Sequence, residues 1–131
     1  MRTYHGSCHC GAVKFEVDAE ISQLDRCNCS ICTKKGGVFI RVPGDRFRLL
    51  QGEDDLNLYR FNKKIAKHYF CKHCGIHPFA HPRSMPELYL INVRCLDDFD
   101  LETDSYDVNL FDGKNWETAF AARSKADWGF G

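Results

Sequence analysis

Apolar and polar residues alternate in short runs along most of the chain, with the period of two that a strand requires and not the 3.6 of an amphipathic helix. The runs fall at residues 12–17, 38–42, 47–50, 56–61, 65–70 and 88–93. Between them lie Pro43-Gly44-Asp45, Gly52-Glu53-Asp54-Asp55, Asn62-Lys63-Lys64 and Pro82-Arg83-Ser84-Met85-Pro86. These are the residues that turns demand, since they preset φ, tolerate left-handed dihedrals or bond their own backbone. The pattern predicts a mainly-β, antiparallel domain. Helix is confined to a short turn at 30–35 and a C-terminal piece at 117–125. There is no internal repeat, low-complexity tract or Pro/Ser-rich linker. At about 150 residues per domain, the 131 residues predict one domain over 1–131.

Composition narrows the class. With 44% hydrophobic and 13% aromatic residues, the chain is too apolar for intrinsic disorder. No apolar run approaches the ~18 residues of a membrane-spanning helix, so no membrane partner is expected. The segment Met1-Arg2-Thr3-Tyr4-His5-Gly6-Ser7-Cys8 lacks the apolar core of a secretory signal, which predicts a cytoplasmic protein in a compartment where disulfides are rare. The eight cysteines then serve another purpose. The formal net charge is zero, but residues 1–94 carry 15 Lys/Arg against 9 Asp/Glu, whereas residues 95–131 carry 3 against 9. Neutral balance argues against nucleic acid as a partner. The basic front suits a small anionic ligand, and the acidic segment 97–112 is either a partner surface or a solubilising one.

Seven cysteines are clustered, in Cys8-His9-Cys10-Gly11, Cys27-Asn28-Cys29-Ser30-Ile31-Cys32 and Cys71-Lys72-His73-Cys74-Gly75; Cys95 stands alone. Two cysteines one or two residues apart at a tight turn deliver two soft ligands without strain, and two such pairs complete a tetrahedral zinc site. Cys8 and Cys10 pair with Cys71 and Cys74 because both turns end in glycine, the residue that lets a chain reverse sharply. Iron fits the same ligand set.

The triple follows a different logic. In an extended segment Cys27 and Cys29 share a face, and a helical turn beginning near Ser30 brings Cys32 round to them. Three protein ligands with an open position are the arrangement of catalytic zinc. The alternative is closure by a remote residue, with Cys95, His9, His73, His77 and His81 eligible, into a second structural site. His77 and His81 read either as general base or substrate contacts or as hydrogen-bonded turn residues. Cys95 reads as packing or as a reactive thiol.

The order Cys-x-Cys-Gly, Cys-x-Cys-x-x-Cys, Cys-x-x-Cys-Gly, followed by Ile91-Asn92-Val93-Arg94-Cys95-Leu96-Asp97, resembles the glutathione-dependent formaldehyde-activating family, also called the centromere-protein-V/GFA domain. The resemblance runs from about residue 4 to 116. It implies an Mss4-like (β-tent) fold of several small antiparallel sheets and two zinc ions, with Cys8, Cys10, Cys71 and Cys74 structural and Cys27, Cys29 and Cys32 catalytic. It also implies carbon–sulfur lyase chemistry on S-hydroxymethylglutathione or a related thiol adduct. Lys34, Lys35, Arg41, Arg46 and Arg48 are candidates to capture such an anion. Family members commonly carry His and Arg where this chain has Asn28 and Thr33, which removes two polar groups at the rim. Two other functions suit the same residues: a zinc-stabilised binding module using 97–112, and a thiol redox enzyme resembling B-type methionine sulfoxide reductases with Cys95 as nucleophile. The C-terminal aromatics Trp116, Phe120, Trp128 and Phe130 suit packing on the domain or a dimer contact.

Overall fold

The computed structural model describes residues 1–122. Ten strands form two sheets. The smaller has the order β1 (Arg2–Ser7), β2 (Lys14–Ala19), β5 (Phe47–Gln51), all antiparallel. The larger runs β10 (Asp107–Phe111), β3 (Gln23–Cys27), β4 (Phe39–Val42), β9 (Tyr89–Asn92), β8 (Phe79–His81), β7 (Lys67–Cys71), β6 (Leu56–Tyr59). Helix is limited to α1 (Ser30–Lys35), α2 (Trp116–Ala122) and four short 3-10 turns. The mainly-β architecture expected from the alternation is therefore present, with one departure: β10 lies parallel to β3.

The inward residues of the two sheets make one core. Tyr4, Phe15, Val17 and Phe47 from the smaller sheet meet Leu24, Ile40, Phe79 and Ile91 from the larger. Aromatic rings fill its centre: Phe47 stacks on Tyr89 at 4.2 Å between centroids and tilts against Phe79 at 4.9 Å. A second, smaller core consists of Cys8, Val13 and Cys71.

Each of the six alternating runs contains a strand. Four strands fall outside those runs. β1 has Gly6 at an inward position, filled by a neighbour's ring: a Cβ on Gly6 would lie 2.1 Å from Phe15 Cζ. β3 holds a buried ion pair, Asp25 to Arg41 at 3.4 Å, where an apolar residue would signal a strand. β8 has three residues, and β10 turns Val108 and Leu110 outward, 51% and 60% exposed. The helix expected at 30–35 is α1; of the one expected at 117–125, residues 117–122 lie in α2 and the remainder, like Trp128 and Phe130, lies outside the described residues.

Candidate metal centres and their cavity

The β1–β2 and β7–β8 connections fold into related six-residue turns, 8–13 and 71–76. Cys8 N–H donates to the Val13 carbonyl (3.1 Å) and Cys71 N–H to the Ile76 carbonyl (2.9 Å). Gly11 and Gly75 N–H reach back to the Cys8 and Cys71 carbonyls at 3.2 and 2.8 Å, with φ of 83° and 77°. A β-carbon is disfavoured at such dihedrals, hence the two glycines. The turns face each other, so the sulfurs of Cys8, Cys10, Cys71 and Cys74 lie within 4.8 Å of one another. Cys8 to Cys10 is 3.6 Å and Cys10 to Cys71 is 3.7 Å. Sulfurs about 2.3 Å from a tetrahedral zinc stand about 3.8 Å apart, so this donor set fits the ion. Val13 N–H donates to Cys8 Sγ at 3.3 Å, the kind of contact that stabilises a thiolate. Burial raises the Cys74 thiol, but hydrogen bonds from the N–H groups of Cys10 and Ile76 and from neighbouring thiols bring it down to about 6.

The second cluster forms where β3 ends and α1 begins. Cys29 is the extended residue before the helix, Thr33 N–H donates to its carbonyl (2.9 Å), and Gly36 closes the far end in the left-handed conformation with φ 64°. One helical turn thus swings Cys32 beside Cys27 and Cys29, whose sulfurs all lie within 4.8 Å. Thiol hydrogen bonds from Cys27 and Cys32, then N–H groups of Cys32 and Ile31, hold Cys29 down at about 2. Hydrogen bonding to Cys27 and Cys29, then burial, keeps the proton on Cys32 and pushes that thiol upward. Only a cation allows all three to ionise together. Among the described residues no fourth Cys, His, Asp or Glu joins the group.

The remote candidates for closure are engaged elsewhere or lie apart. His73 pairs with Asp55 at 2.7 Å, His81 Nδ1 donates to the Leu88 carbonyl at 2.9 Å, and His77 Nδ1 donates to the Tyr69 carbonyl. His9 is exposed and belongs to neither cysteine group. Cys95 is buried and its thiol donates to the His77 carbonyl at 3.6 Å. Burial first, then the charges of Cys8 and Asp97, push that thiol up to about 12, which runs against its use as a redox nucleophile.

A cavity of about 520 Å³ opens on the triple and includes all three cysteines in its wall. Among the described residues the lining holds seven Lys or Arg and one acid, Asp25. Of the cations singled out in sequence, Lys35 and Arg41 are there; Lys34, Arg46 and Arg48 are not, and Arg48 instead grips Asp18 and Glu16 on the smaller sheet. Sequence reading missed Arg26, Lys63, Lys64, Arg83 and Lys114. Arg26 was open to it, adjoining Cys27; the others arrive from distant turns.

One wall is a strap formed by 112–117. Asn28 holds it from both ends of its amide, Nδ2 donating to Asp112 Oδ1 (2.9 Å) and Oδ1 accepting Lys114 N–H (3.0 Å). Gly113 is pressed on the cysteines: a Cβ there would lie 2.5 Å from Cys27 Sγ. Arg83 lies 3.6 Å over the Trp116 ring and bonds Glu117 at 2.6 Å; Lys63 reaches Glu117 at 3.5 Å. The Thr33 hydroxyl donates to the Asn28 carbonyl at 3.2 Å. Asn28 and Thr33 therefore do not leave the rim depleted; they tie it together.

A mainly-β fold with two separate cysteine clusters that could each hold a metal ion, one of them in the wall of a basic cavity, is the architecture of a metal-site protein. The profile of the family described as "Glutathione-dependent formaldehyde-activating enzyme" matches residues 3–111, and the chain belongs to that family. It is similar to a Halomonas elongata protein named "Putative glutathione-dependent formaldehyde-activating enzyme", 33% identical over 97 residues, covering 57% of this chain and 62% of the relative. The chain thus matches less than two thirds of that relative's length. It is also similar to a crystal structure of a Rhodobacter sphaeroides protein, at 34% identity and a TM-score of 0.73, covering 79% of this chain and 98% of that one. No helix among the described residues is long and apolar enough to cross a membrane.

Proposed function

We propose that the chain acts as a single cytoplasmic domain and a zinc-dependent carbon–sulfur lyase, joining an aldehyde to a thiol or cleaving the adduct, with S-hydroxymethylglutathione as reference substrate. In this reading Cys8, Cys10, Cys71 and Cys74 hold a structural zinc, and Cys27, Cys29 and Cys32 hold a reactive one. The observation that carries it is a three-sulfur cluster set in the wall of a cavity rich in cations. A zinc ion with three thiolate ligands supplies an open position for a sulfur or oxygen of the substrate and acts there as a Lewis acid.

The chain's own residues do the rest. The cavity's lysines and arginines attract a carboxylate-bearing thiol, while Phe39, Ile31 and Leu90 supply apolar wall. The strap fastened by Asn28 and Arg83 walls off one side of the cluster, which favours capture of an intermediate over its loss to water. Asp25 is neutralised in place by Arg41 and by the Asn109 amide at 3.2 Å, so it does not repel the anion.

The test is zinc per chain in wild type and Cys29→Ser, with X-ray absorption at the metal during titration with glutathione. Two zincs falling to one, with a new sulfur entering the shell in wild type and turnover of S-hydroxymethylglutathione, support the reading. One zinc in both and no response to glutathione overturn it in favour of a binding module.

A further inference from the structure

Lys35 is the last residue of α1 and lies three positions beyond Cys32, so the two share a helix face. Its ammonium is drawn inward. Nζ donates to His68 Nδ1 at 2.9 Å and to His77 Nε2 at 3.0 Å, and it lies 5.1 Å from the centroid of the Phe39 ring. Because His77 Nδ1 donates to the Tyr69 carbonyl, its Nε2 is an acceptor; His68 likewise accepts at Nδ1, leaving its proton on Nε2. Both imidazoles are held neutral, His68 at about 4 and His77 at about 3, by burial and then by the lysine's own charge. The lysine is therefore the single cation of this trio. Lys35 and His68 both line the cavity. His68 is 9% exposed, and its Nε2 is buried with no hydrogen-bond partner.

Two hydrogen bonds use two of the three ammonium protons. The third has no protein acceptor among the described residues, and Lys35 lines the same cavity as the cysteine triple. Resting on the lyase reading, we propose that Lys35 is a catalytic residue, the proton donor and acceptor for the oxygen of the thiol–aldehyde adduct, with His68 and His77 as the positioning residues that aim it. In the forming direction the thiolate sulfur attacks the carbonyl carbon, the C–S bond forms, the π pair moves to oxygen, and Lys35 gives that oxygen a proton. In cleavage the neutral amine takes the hydroxyl proton, C=O re-forms, and the C–S pair leaves on sulfur. No oxidant or reductant is required.

The test uses zinc-loaded wild type, Lys35→Met and Lys35→Arg, matched for zinc content and melting. Two readouts are taken: turnover of S-hydroxymethylglutathione, and calorimetric affinity for S-formylglutathione against S-ethylglutathione, which differ by an oxygen in place of a methyl group. Wild type is expected to prefer the oxygen-bearing analogue at least tenfold. Lys35→Met loses that preference and about a hundredfold or more in kcat, the scale of general acid–base catalysis. Lys35→Arg keeps the charge and the preference but not the turnover, because a guanidinium does not give up its proton. If either variant turns over like wild type, or if Lys35→Met keeps the preference, the assignment is overturned; should Lys35→Met not fold, Lys35→Arg alone decides. A wild type that binds neither analogue overturns the lyase reading itself and this assignment with it.

Discussion

Replacing Cys71 by Ser separates the two cysteine clusters energetically. Cys71 is fully buried in a small core whose other buried members are Cys8 and Val13. One buried valine contributes only about 1.5–3 kcal/mol, so the two turns are held mainly by what their sulfurs bind. The clip from Cys10 to Cys71 closes 61 residues; a cross-link of that span stabilises by about 4 kcal/mol through the unfolded chain. A serine hydroxyl left unsatisfied at a fully buried position costs about 1–3 kcal/mol more. The total, about 5–7 kcal/mol, is comparable to the whole net stability of a typical domain, about 5–15 kcal/mol. Cys71→Ser is therefore expected to be unfolded, or to lose about 2.5–3.5 M in urea midpoint at an m-value of about 2 kcal/mol/M. Cys29→Ser removes a half-buried sulfur at the cavity wall, and should shift the midpoint by less than about 1 kcal/mol while abolishing turnover. Urea titrations followed by tryptophan fluorescence and circular dichroism, with zinc counted in each variant, measure both. A Cys71→Ser protein with the wild-type midpoint would refute the structural role of the first cluster.

Two further outcomes follow from particular contacts. Gly113→Ala places a methyl 2.5 Å from Cys27 Sγ and 2.8 Å from Cys29 Cβ; the strap must lift, so faster hydrogen exchange at residues 112–117 and a raised KM are expected with the fold intact, and unchanged exchange would show that the strap is not seated there. Arg48 holds the Asp18 carboxyl well below its ordinary value through a two-point hydrogen bond, with Thr3 assisting. A depressed folded value means the contribution is complete above the unfolded value of about 3.9 and is lost as pH falls through the folded one. Wild type should then lose stability more steeply than Arg48→Ala below about pH 4, read from urea midpoints across pH; parallel curves would count against the pair.

The six alternating runs were legible from their period of two, which in β2 buries Phe15, Val17 and Ala19 between half-buried Glu16 and Asp18, while β6 keeps the period with Leu58 exposed. The four strands that escaped have local reasons: Gly6 in β1 gives its space to the Phe15 ring, and β3 buries Asp25 where an apolar side chain would mark the period. In β10 the inward residue opposite Asp25 is Asn109, whose amide donates to that carboxylate, while Val108 and Leu110 face out. Both cysteine groupings were readable from spacing, since a turn of one or two intervening residues constrains sulfur positions almost independently of the fold. The cavity was not. Its cations come from β3, α1, β4 and the 61–65, 82–84 and 112–116 segments, and the larger sheet, with its parallel β10 edge, brings them together.

That assembly explains why Asn28 matters more than its place between two cysteines suggests. The chain reaches the triple twice, once at 27–32 and again, 84 residues later, as the strap; the Asn28 amide joins the two passes through Asp112 and Lys114, beside the seat of Gly113 on Cys27 and Cys29. The first pass is fixed by its own helical turn and Gly36. The second is shaped by a short turn of its own, Asn115 donating from N–H to the Asp112 carbonyl (3.1 Å) and from Nδ2 to its carboxylate (2.9 Å), but α2 adds no buried residue; polar contacts and Arg83 on Trp116 and Glu117 hold it in place. Polar fastenings of this kind are individually worth about 1 kcal/mol, far less than the clip that closes the first cluster. In the proposed reading the metal cross-link of the first cluster lies outside the cavity lining, and the strap over Cys27 and Cys29 is the more weakly fastened wall. A site that must admit and release a ligand needs one element at the low end of the stability range, and the strap is the element of this fold that meets the requirement.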